Sequence, residues 1–271
     1  MSNLIVFVHF MRNLYRIRSM LKAMALRELK ATYVGSFFGF FWAVLNPVSQ
    51  ILIYGIVFGY FFKGSPPPQY GTDSYFLYLV AGLIPWQFFA QTVGATTNVL
   101  LSYRNLIKRA AGFPSEVLPI VTVISNLISA LVSICLLFAI VVVFTHKASL
   151  YMAGVFVYLF LASVICVGIG WILSSLTVFL RDIPQVIGLA LTGMFFFTPI
   201  FYSPTIVPPK ALLVMKLNPM YHVIEGYRLA VLAGKSIPAA DFAYLVIASL
   251  FILGMGGLMF RRLKPEFAEV M

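Results

Sequence analysis

The chain alternates long apolar segments with short polar ones, and the apolar segments have the length that crosses a membrane. A helix needs about 20 residues to cross a hydrocarbon core about 30 Å thick. Segments of about this length recur near residues 37–62, 75–99, 117–144, 150–180, 186–202 and 240–260. The pattern therefore predicts an all-α integral membrane protein with six transmembrane helices.

The first apolar segment contains Pro47 directly after Asn46. A proline inside a helix removes one backbone hydrogen bond and clashes with the preceding turn, so we expect a kink. Asn46 adds a polar group that needs a partner within protein rather than lipid. One face of this helix is therefore expected to lie against another helix or a pathway, although a role in packing alone would explain the proline equally well.

Residues 12–30 show a different pattern, with apolar residues at helical spacing and basic residues mainly on the opposite side. The apolar positions are Leu14, Ile17, Leu21, Met24 and Ala25, and the basic ones are Arg12, Arg16, Lys22, Arg27 and Lys30. This predicts an N-terminal amphipathic helix that lies along the membrane surface. Its basic side would contact anionic lipid, the anionic head of a substrate, or both.

The segment from 202 to 239 contains five prolines and is too interrupted for another span. Apolar helical pieces remain near 210–217 and 220–233, which predicts short helices that dip into the outer leaflet between spans 5 and 6. Glu225 and Arg228 are three residues apart and could pair on one face of such a helix.

Composition and charge agree with a membrane protein. The chain has 271 residues, of which 61% are hydrophobic and 10% charged, and its mean hydropathy is +0.97. Of its 19 Lys and Arg residues, 13 fall in the segments that are cytosolic if both termini are cytosolic, and 6 fall in the outer ones. The positive-inside rule thus predicts cytosolic termini in the cytoplasmic (inner) membrane.

The net charge of +11 is membrane-flanking charge rather than a nucleic-acid surface, because the basic residues form no continuous stripe. We expect no cleavable signal peptide, since basic residues precede the first apolar segment over a long stretch. The chain is predicted to be a single membrane domain over 1–271, with an amphipathic segment at 1–36, the six spans at 37–260 and a cytosolic tail at 261–271.

The sequence offers no catalytic constellation. Gly234-Lys235-Ser236 resembles the end of a phosphate-binding loop, but that loop needs a glycine where Leu229 stands. The acidic residues form no pair within a span, and the histidines are isolated, so no metal site is expected. We therefore predict a chain without catalytic residues or cofactors, whose ATPase, if ATP drives it, is another polypeptide.

The loop at 102–116 carries Arg104, Lys108 and Arg109 before Gly112 and Pro114, which end any helix. This predicts a short basic helix on the cytosolic side. The helix could be a plain connector, or it could dock into a cleft of a partner subunit.

Aromatic residues make up 16% of the chain and are concentrated in a few places. Aromatic residues at span ends usually anchor the protein at the interface, but the groups at 86–89 and 195–202 are denser than anchoring requires. Flat apolar faces with hydroxyl groups suit sugar rings. The candidate channel aromatics are Phe37, Phe41, Trp42, Trp86, Phe88, Phe89, Phe195, Phe196 and Tyr202.

Six short motifs occur in the order typical of one transporter family. They are RELKATYVGSFFGFFWAVLNP (27–47), GLIPWQFF (82–89), NLIKRAAGFP (105–114), RDIPQ (181–185), TPIFY (198–202) and NPM (218–220). Over nearly its whole length the chain resembles the membrane subunits of ABC-2 type polysaccharide exporters, which carry O-antigen, capsular polysaccharide or teichoic acid. Members often have an arginine where this chain has Thr32.

The resemblance implies a homodimer that encloses a channel, with two copies of a separate ATPase subunit that holds the ATP and Mg. The segment 12–30 would be the interface helix, and 203–233 would supply outer gate helices. The motif at 105–114 would be the coupling helix that contacts the ATPase, through Asn105, Leu106, Lys108, Arg109, Phe113 and Pro114. The substrate would be a polysaccharide linked to undecaprenyl pyrophosphate.

Arg27, Lys30 and Arg181 are the candidates for contacting the pyrophosphate, because each lies beside a predicted span entrance. For Arg181 an ion pair with the adjacent Asp182 is an equally good explanation. O-antigen is the favoured cargo. The alternatives are an ABC-2 exporter of teichoic acid, capsule, lipid or drug, and, more remotely, a membrane enzyme of lipid-linked sugar metabolism.

Overall fold

A computed structural model describes residues 18–33, 36–61, 66–109, 113–146 and 148–270, and all regular elements in these ranges are helical. The α-helices are α1 (Arg18–Tyr33), α2 (Trp42–Tyr54), α3 (Tyr75–Ser102), α4 (Arg104–Arg109), α5 (Val117–Thr145), α6 (Gly154–Phe179), α7 (Ile183–Phe197), α8 (Pro209–Lys216), α9 (Pro219–Arg228), α10 (Ala239–Leu263) and α11 (Phe267–Val270). The predicted all-α class is confirmed.

Four helical segments of the described part are long and apolar enough to cross a membrane. They are Tyr75–Ser102, Val117–Thr145, Leu150–Phe179 and Ala239–Glu266. Two shorter apolar helices, Val44–Val57 and Ile183–Phe197, accompany them. The fold is thus that of a multi-span helical membrane protein, and a count of six spans stays a prediction.

The fifth predicted span, 186–202, is wrong at its C-terminal end. Helix α7 ends at Phe197, and Thr198 already has an extended backbone with ψ 132°. The cause is Pro199, since the residue before a proline is disfavoured in the helical conformation. The 15 residues of α7 rise about 22 Å, which is shorter than a hydrocarbon core of about 30 Å.

Helix α2 contains Pro47 and continues into a π-helical stretch, Gly55–Phe61. Pro47 is buried, and α2 packs against α5. The expectation that one face of this helix lies against another helix is therefore confirmed.

Helix α3 lies at the centre of the molecule, where it packs against α5, α6, α7 and α9. Ser74 caps its first turn, because the Ser74 hydroxyl accepts the backbone N–H of Leu77 at 3.4 Å. The core around α3 is closely packed, with Leu79, Leu137 and Val155 fully buried. A second close contact joins α6 to α10.

Helix α1 packs its apolar side against the start of α5. Leu21 and Ala25 are buried with Val117 and Val121 of α5. Arg27 and Lys30 are exposed on the other side. Leu14, Ile17, Arg12 and Arg16 lie outside the described residues. The apolar side that the pattern assigned to the membrane surface thus contacts protein at Leu21 and Ala25, because α5 offers an apolar surface at this level.

Two short helices, α8 and α9, follow α7, and α9 continues into a π-helical stretch, Leu229–Ala233. The predicted short helices near 210–217 and 220–233 are thus confirmed. Large apolar side chains are exposed on α7, where Leu189 is 77% exposed, and none of the residues of this helix is buried. Such surfaces suit contact with lipid tails, which are as apolar as leucine.

Candidate functional site

A polar cleft lies among α2, α3 and α5, and we call it the amide cleft. Its polar lining consists of Asn46, Gln50, Gln87, Gln91, Asn126, Ser129 and Ser133. Trp42 and Phe88 are among the apolar residues that complete it. The cavity has a volume of about 60 Å³ and a lining without charged side chains. Asn46 and Gln91 are exposed, so the cleft opens to the outside of the chain.

Helical spacing brings these polar side chains together. Asn46 and Gln50 are four residues apart on α2, as are Gln87 and Gln91 on α3, so each pair lies on one face of its helix. Gln87 lies about 18 Å along the axis from the first residue of α3, Tyr75, which places it near the middle of the helix. The cleft is therefore polar at the depth where a spanning helix meets the bilayer centre.

The amides of this cleft have unused hydrogen-bonding capacity. The Nδ2 of Asn126 is buried without a hydrogen-bond partner. The Ser133 hydroxyl donates to the Ser129 carbonyl at 3.1 Å, within its own helix. The cleft has five side-chain amides, those of Asn46, Gln50, Gln87, Gln91 and Asn126. In the part of the chain that the structure describes, none of these side chains is hydrogen-bonded to a neighbouring helix. A buried polar group without a partner is uncommon in proteins and needs an explanation.

Arg228 forms a second polar centre, at the end of α9. Its side chain is 0% exposed. Nη1 donates to the Pro199 carbonyl at 2.7 Å and to Glu225 at 3.0 Å, and Nη2 donates to the Ile200 carbonyl at 2.7 Å. The guanidinium carbon lies 3.7 Å from the centre of the Tyr78 ring. The predicted pair of Glu225 and Arg228 is confirmed.

Glu225 also accepts a hydrogen bond from the Tyr70 hydroxyl at 2.6 Å, so this centre joins α9, α3 and the loops next to them. Burial raises the pKa of Tyr70, and the nearby Glu225 carboxylate raises it further. The tyrosine therefore stays protonated and remains a donor. All contacts of the Arg228 guanidinium are internal, which indicates that it holds the short helices in place rather than binding a ligand.

The short basic helix predicted before Pro114 is present as α4, where Asn105, Leu106 and Lys108 are exposed. The side chain of Arg109 lies outside the described residues, as do residues 110–112. Phe113 and Pro114 are half-buried.

The C-terminal tail packs against this loop, which the sequence did not predict. Phe113 packs against the cluster that contains Phe267, and Phe267 is 1% exposed. Lys264 Nζ donates to a Glu116 carboxylate oxygen at 2.6 Å. Trp171 Nε1 donates to the Glu116 carbonyl at 2.9 Å. The loop after α4 is thus held by both α6 and the tail.

The predicted channel aromatics lie in three different environments. Trp86, Phe88 and Phe89 are buried; Trp42, Phe195 and Tyr202 are half-buried; Phe37, Phe41 and Phe196 are exposed. The ring of Trp86 lies 5.6 Å from Phe89 and 5.8 Å from Phe195, so these three form one aromatic group. Two of the nine, Trp42 and Phe88, line the amide cleft. Their role in a channel stays a prediction.

The three candidate headgroup residues are all exposed. Arg27 and Lys30 project from α1, and Arg181 lies in the turn between α6 and α7. Within the described ranges no ion pair joins Arg181 to Asp182.

Near Arg27, Thr122 donates a hydrogen bond to Glu28 at 2.7 Å. Burial raises the pKa of Glu28, and that hydrogen bond partly opposes the shift.

The sequence reasoning missed the amide cleft, although a signal was available. Each of the first two apolar segments carries two amides four residues apart, and the third carries Asn126 followed by serines three and seven residues later. Searching apolar segments for polar residues at helical spacing would have found them.

Among the described residues, no group of three or more His, Cys, Asp or Glu could hold a metal ion.

These features define a class of protein. The chain is an all-α, multi-span membrane protein with a polar cleft between its helices and a short basic helix between two spans. The model of the ABC-2 type transporter family matches residues 19–232. The chain belongs to the ABC-2 type transporter family.

Relatives align over nearly the whole chain. The chain is 28% identical over 265 residues to the O-antigen export system permease protein RfbA of Myxococcus xanthus, covering 97% of this chain and 99% of the relative. It is 30% identical over 266 residues to the protein of the same name from Klebsiella pneumoniae, with 96% and 97% covered. It is 23% identical over 245 residues to the polysialic acid transport protein KpsM of Escherichia coli, with 89% and 92% covered.

Proposed function

We propose that this chain is the channel-forming permease subunit of an exporter that carries a lipid-linked O-antigen polysaccharide across the cytoplasmic membrane. The observation that carries the proposal is the end-to-end similarity to two proteins named O-antigen export permeases, at 28% and 30% identity. The multi-span helical fold suits a pathway through the membrane. The polymer is attached to undecaprenyl pyrophosphate and enters from the cytosolic side.

The energy comes from two copies of a separate ATPase subunit, which bind ATP and Mg and dock below a homodimer of this chain. The Gly-Lys-Ser sequence at 234–236 supports a separate ATPase, because Gly234 only ends a helix. It has φ 62° and follows the π-helical stretch Leu229–Ala233. The exposed face of α4, with Leu106 and Lys108, is the docking surface for the ATPase.

Arg27 and Lys30 meet the pyrophosphate at the cytosolic surface. Both are exposed, and both lie on the side of α1 that does not pack against α5. Arginine suits this task because its guanidinium can contact two phosphate oxygens at once. Arg181, exposed at the start of α7, is the third candidate.

Deletion of the gene in its source strain tests the proposal. We expect the O-antigen to disappear from the cell surface and the lipid-linked polymer to accumulate inside, and we expect a plasmid copy to restore export. The purified chain alone should hydrolyse no ATP. Unchanged surface O-antigen after deletion, or ATP turnover by the chain alone, would refute the proposal.

Capsular polysaccharide is the second candidate cargo, and the similarity to KpsM favours it. The same deletion strain separates the two cargoes. Loss of the capsule with intact O-antigen would establish the second candidate in place of the first.

A further inference from the structure

We propose that the amide cleft is a binding subsite for uncharged sugar units, in which its side-chain amides hydrogen-bond to the hydroxyl groups of a passing neutral polysaccharide. The inference rests on the proposed function, because it specifies the class of sugar that the permease accepts. It assigns a ligand to a cavity that brings residues of two sequence motifs, such as Asn46 and Gln87, together with Asn126, which lies in none of the motifs.

The chemistry of the lining matches hydroxyl groups. Each carboxamide offers both a donor NH₂ and an acceptor oxygen, and a sugar hydroxyl also donates and accepts. Asn46, Gln50, Gln87, Gln91 and Asn126 bring five such groups from three helices into one cleft. Trp42 and Phe88 add apolar surfaces, against which the C–H faces of a sugar ring can pack.

The absence of charge in the lining selects neutral sugars. A carboxylate moved from water into this cleft would lose hydration and meet no cationic side chain among the residues that line it. Such unpaired desolvation is costly. A neutral sugar loses only hydroxyl–water hydrogen bonds, and the amides replace these one for one.

The size of the cleft makes the exchange easy. A cavity of about 60 Å³ has room for about two water molecules, at about 30 Å³ for each. Because waters and sugar hydroxyls form the same kinds of hydrogen bonds, a sugar unit can displace them without leaving the amides unpaired. Binding of this kind is weak enough for a polymer to move on.

The alternative is that the amides hold the helices together, as polar residues often do in membrane proteins. The geometry argues against this role. Asn126 Nδ2 is buried without a partner, and within the described ranges none of the cleft amides bonds across to another helix. A structural amide stabilises the fold, whereas an unpaired one destabilises it. The two roles therefore predict opposite effects on stability.

The double variant Gln87→Leu, Asn126→Leu separates the roles. We expect surface polysaccharide in the source strain to fall about tenfold, the effect of two lost hydrogen bonds. We expect the melting temperature of the purified protein in detergent to stay the same or rise. The control is Asn98→Leu, which removes an exposed amide of the same helix α3 outside the cleft; it should export normally. Normal export by the double variant, or a lowered melting temperature, would overturn the inference.

Direct binding gives a second test that does not depend on export. Trp42 lines the cleft, so its fluorescence reports on occupancy. Titration of the purified wild-type protein with maltoheptaose, a neutral glucan, should give a saturable change that Trp42→Phe abolishes and that the double variant weakens about tenfold. An oligosialic acid of the same length should bind at least about tenfold more weakly. No response to maltoheptaose, or an equal response to the acidic oligomer, would overturn the inference.

The two tests keep this inference apart from the proposed function. If the deletion strain still displays its surface polysaccharide, the proposed function fails, and the maltoheptaose titration then decides alone whether the cleft binds neutral sugars. If deletion abolishes export but the double variant exports normally, the proposed function stands and the cleft has no part in it.

Discussion

Arg228 is the largest fully buried side chain in the described part of the chain. Its guanidinium lies against the segment that directly follows α7. Pro199 terminates that helix, so Pro199 and Ile200 lie beyond its end, and their carbonyl groups need partners outside a helix. The Arg228 guanidinium donates to both of them. Gly82 makes room for it, because a Cβ atom there would lie 2.7 Å from Nη2. One arginine thus pairs with two carbonyls of the segment after α7 and connects that segment to α9.

Arg228→Met should destabilise the protein by about 3 to 5 kcal/mol, because the change leaves the Glu225 carboxylate and two carbonyls buried without their partner. Thermal unfolding in detergent, followed by circular dichroism or by differential scanning fluorimetry, measures the loss. Arg262→Met is the control, since Arg262 is exposed at the end of α10. Equal melting temperatures for the two variants would contradict the structural role given to Arg228.

At the scale of elements, glycines set the distance between α6 and α10. A Cβ atom at Gly168 would lie 2.6 Å from the carbonyl oxygen of Ile252, and one at Gly256 would collide with the carbonyl oxygen of Gly168. The nearest obstacles are backbone atoms, which cannot turn away as a side chain can. Small residues of this kind let membrane helices approach closely and pack well.

Gly256→Ala should therefore separate α6 from α10 and destabilise the protein by about 1 to 3 kcal/mol, the usual range for overpacking. Gly254→Ala is the matched control on the same helix, because a Cβ atom there meets nothing within 4 Å. Melting temperatures of the two variants in the same detergent give the comparison. The close contact would be disproved if both alanines were tolerated equally.

Hydrophobic spacing predicted the helices well, because in a membrane protein the length of an apolar segment is a direct physical requirement. It located the helices near 210–217 and 220–233 and the Glu225–Arg228 pair. It failed where a local backbone rule overrides hydropathy, as at Pro199, which ends α7 early. It also missed the docking of Phe267, because single segments do not show which helices become neighbours. The amides of the cleft were visible at helical spacing within each segment, but the segments do not show that the three sets face one another.

At the scale of the whole molecule, the orientation in the membrane decides which loops can meet the ATPase. The basic residues predict that α4 and the end of α10 are cytosolic and that α8 is outside. Cysteines introduced at Arg109 and Arg262 should stay unlabelled by a membrane-impermeant thiol reagent in intact cells, and a cysteine at Lys210 should be labelled. Permeabilised cells, in which all three should react, are the control. Labelling at Arg109 in intact cells would reverse the orientation.

The loop after α4 joins this short basic helix to the spans. Phe113 packs against the cluster of Phe260 and Phe267, and Lys264 pairs with Glu116. A displacement of α4 would therefore be transmitted to α10 through side chains that are already in contact. Changing Phe113 would disturb this packing as well as any contact with a partner, so an exposed residue of α4 gives the cleaner test.

Lys108→Glu reverses an exposed charge on α4. If this face contacts the ATPase, export should fall at least about tenfold while the level of the permease in the membrane stays normal, because a like-charge contact in an interface costs several kcal/mol. Surface polysaccharide and co-purification of the ATPase with the tagged permease measure the two consequences. Arg262→Glu is the matched control, since it reverses an exposed charge on the same predicted side of the membrane but outside α4. Loss of export in both variants, or in neither, would show that α4 is not the specific contact.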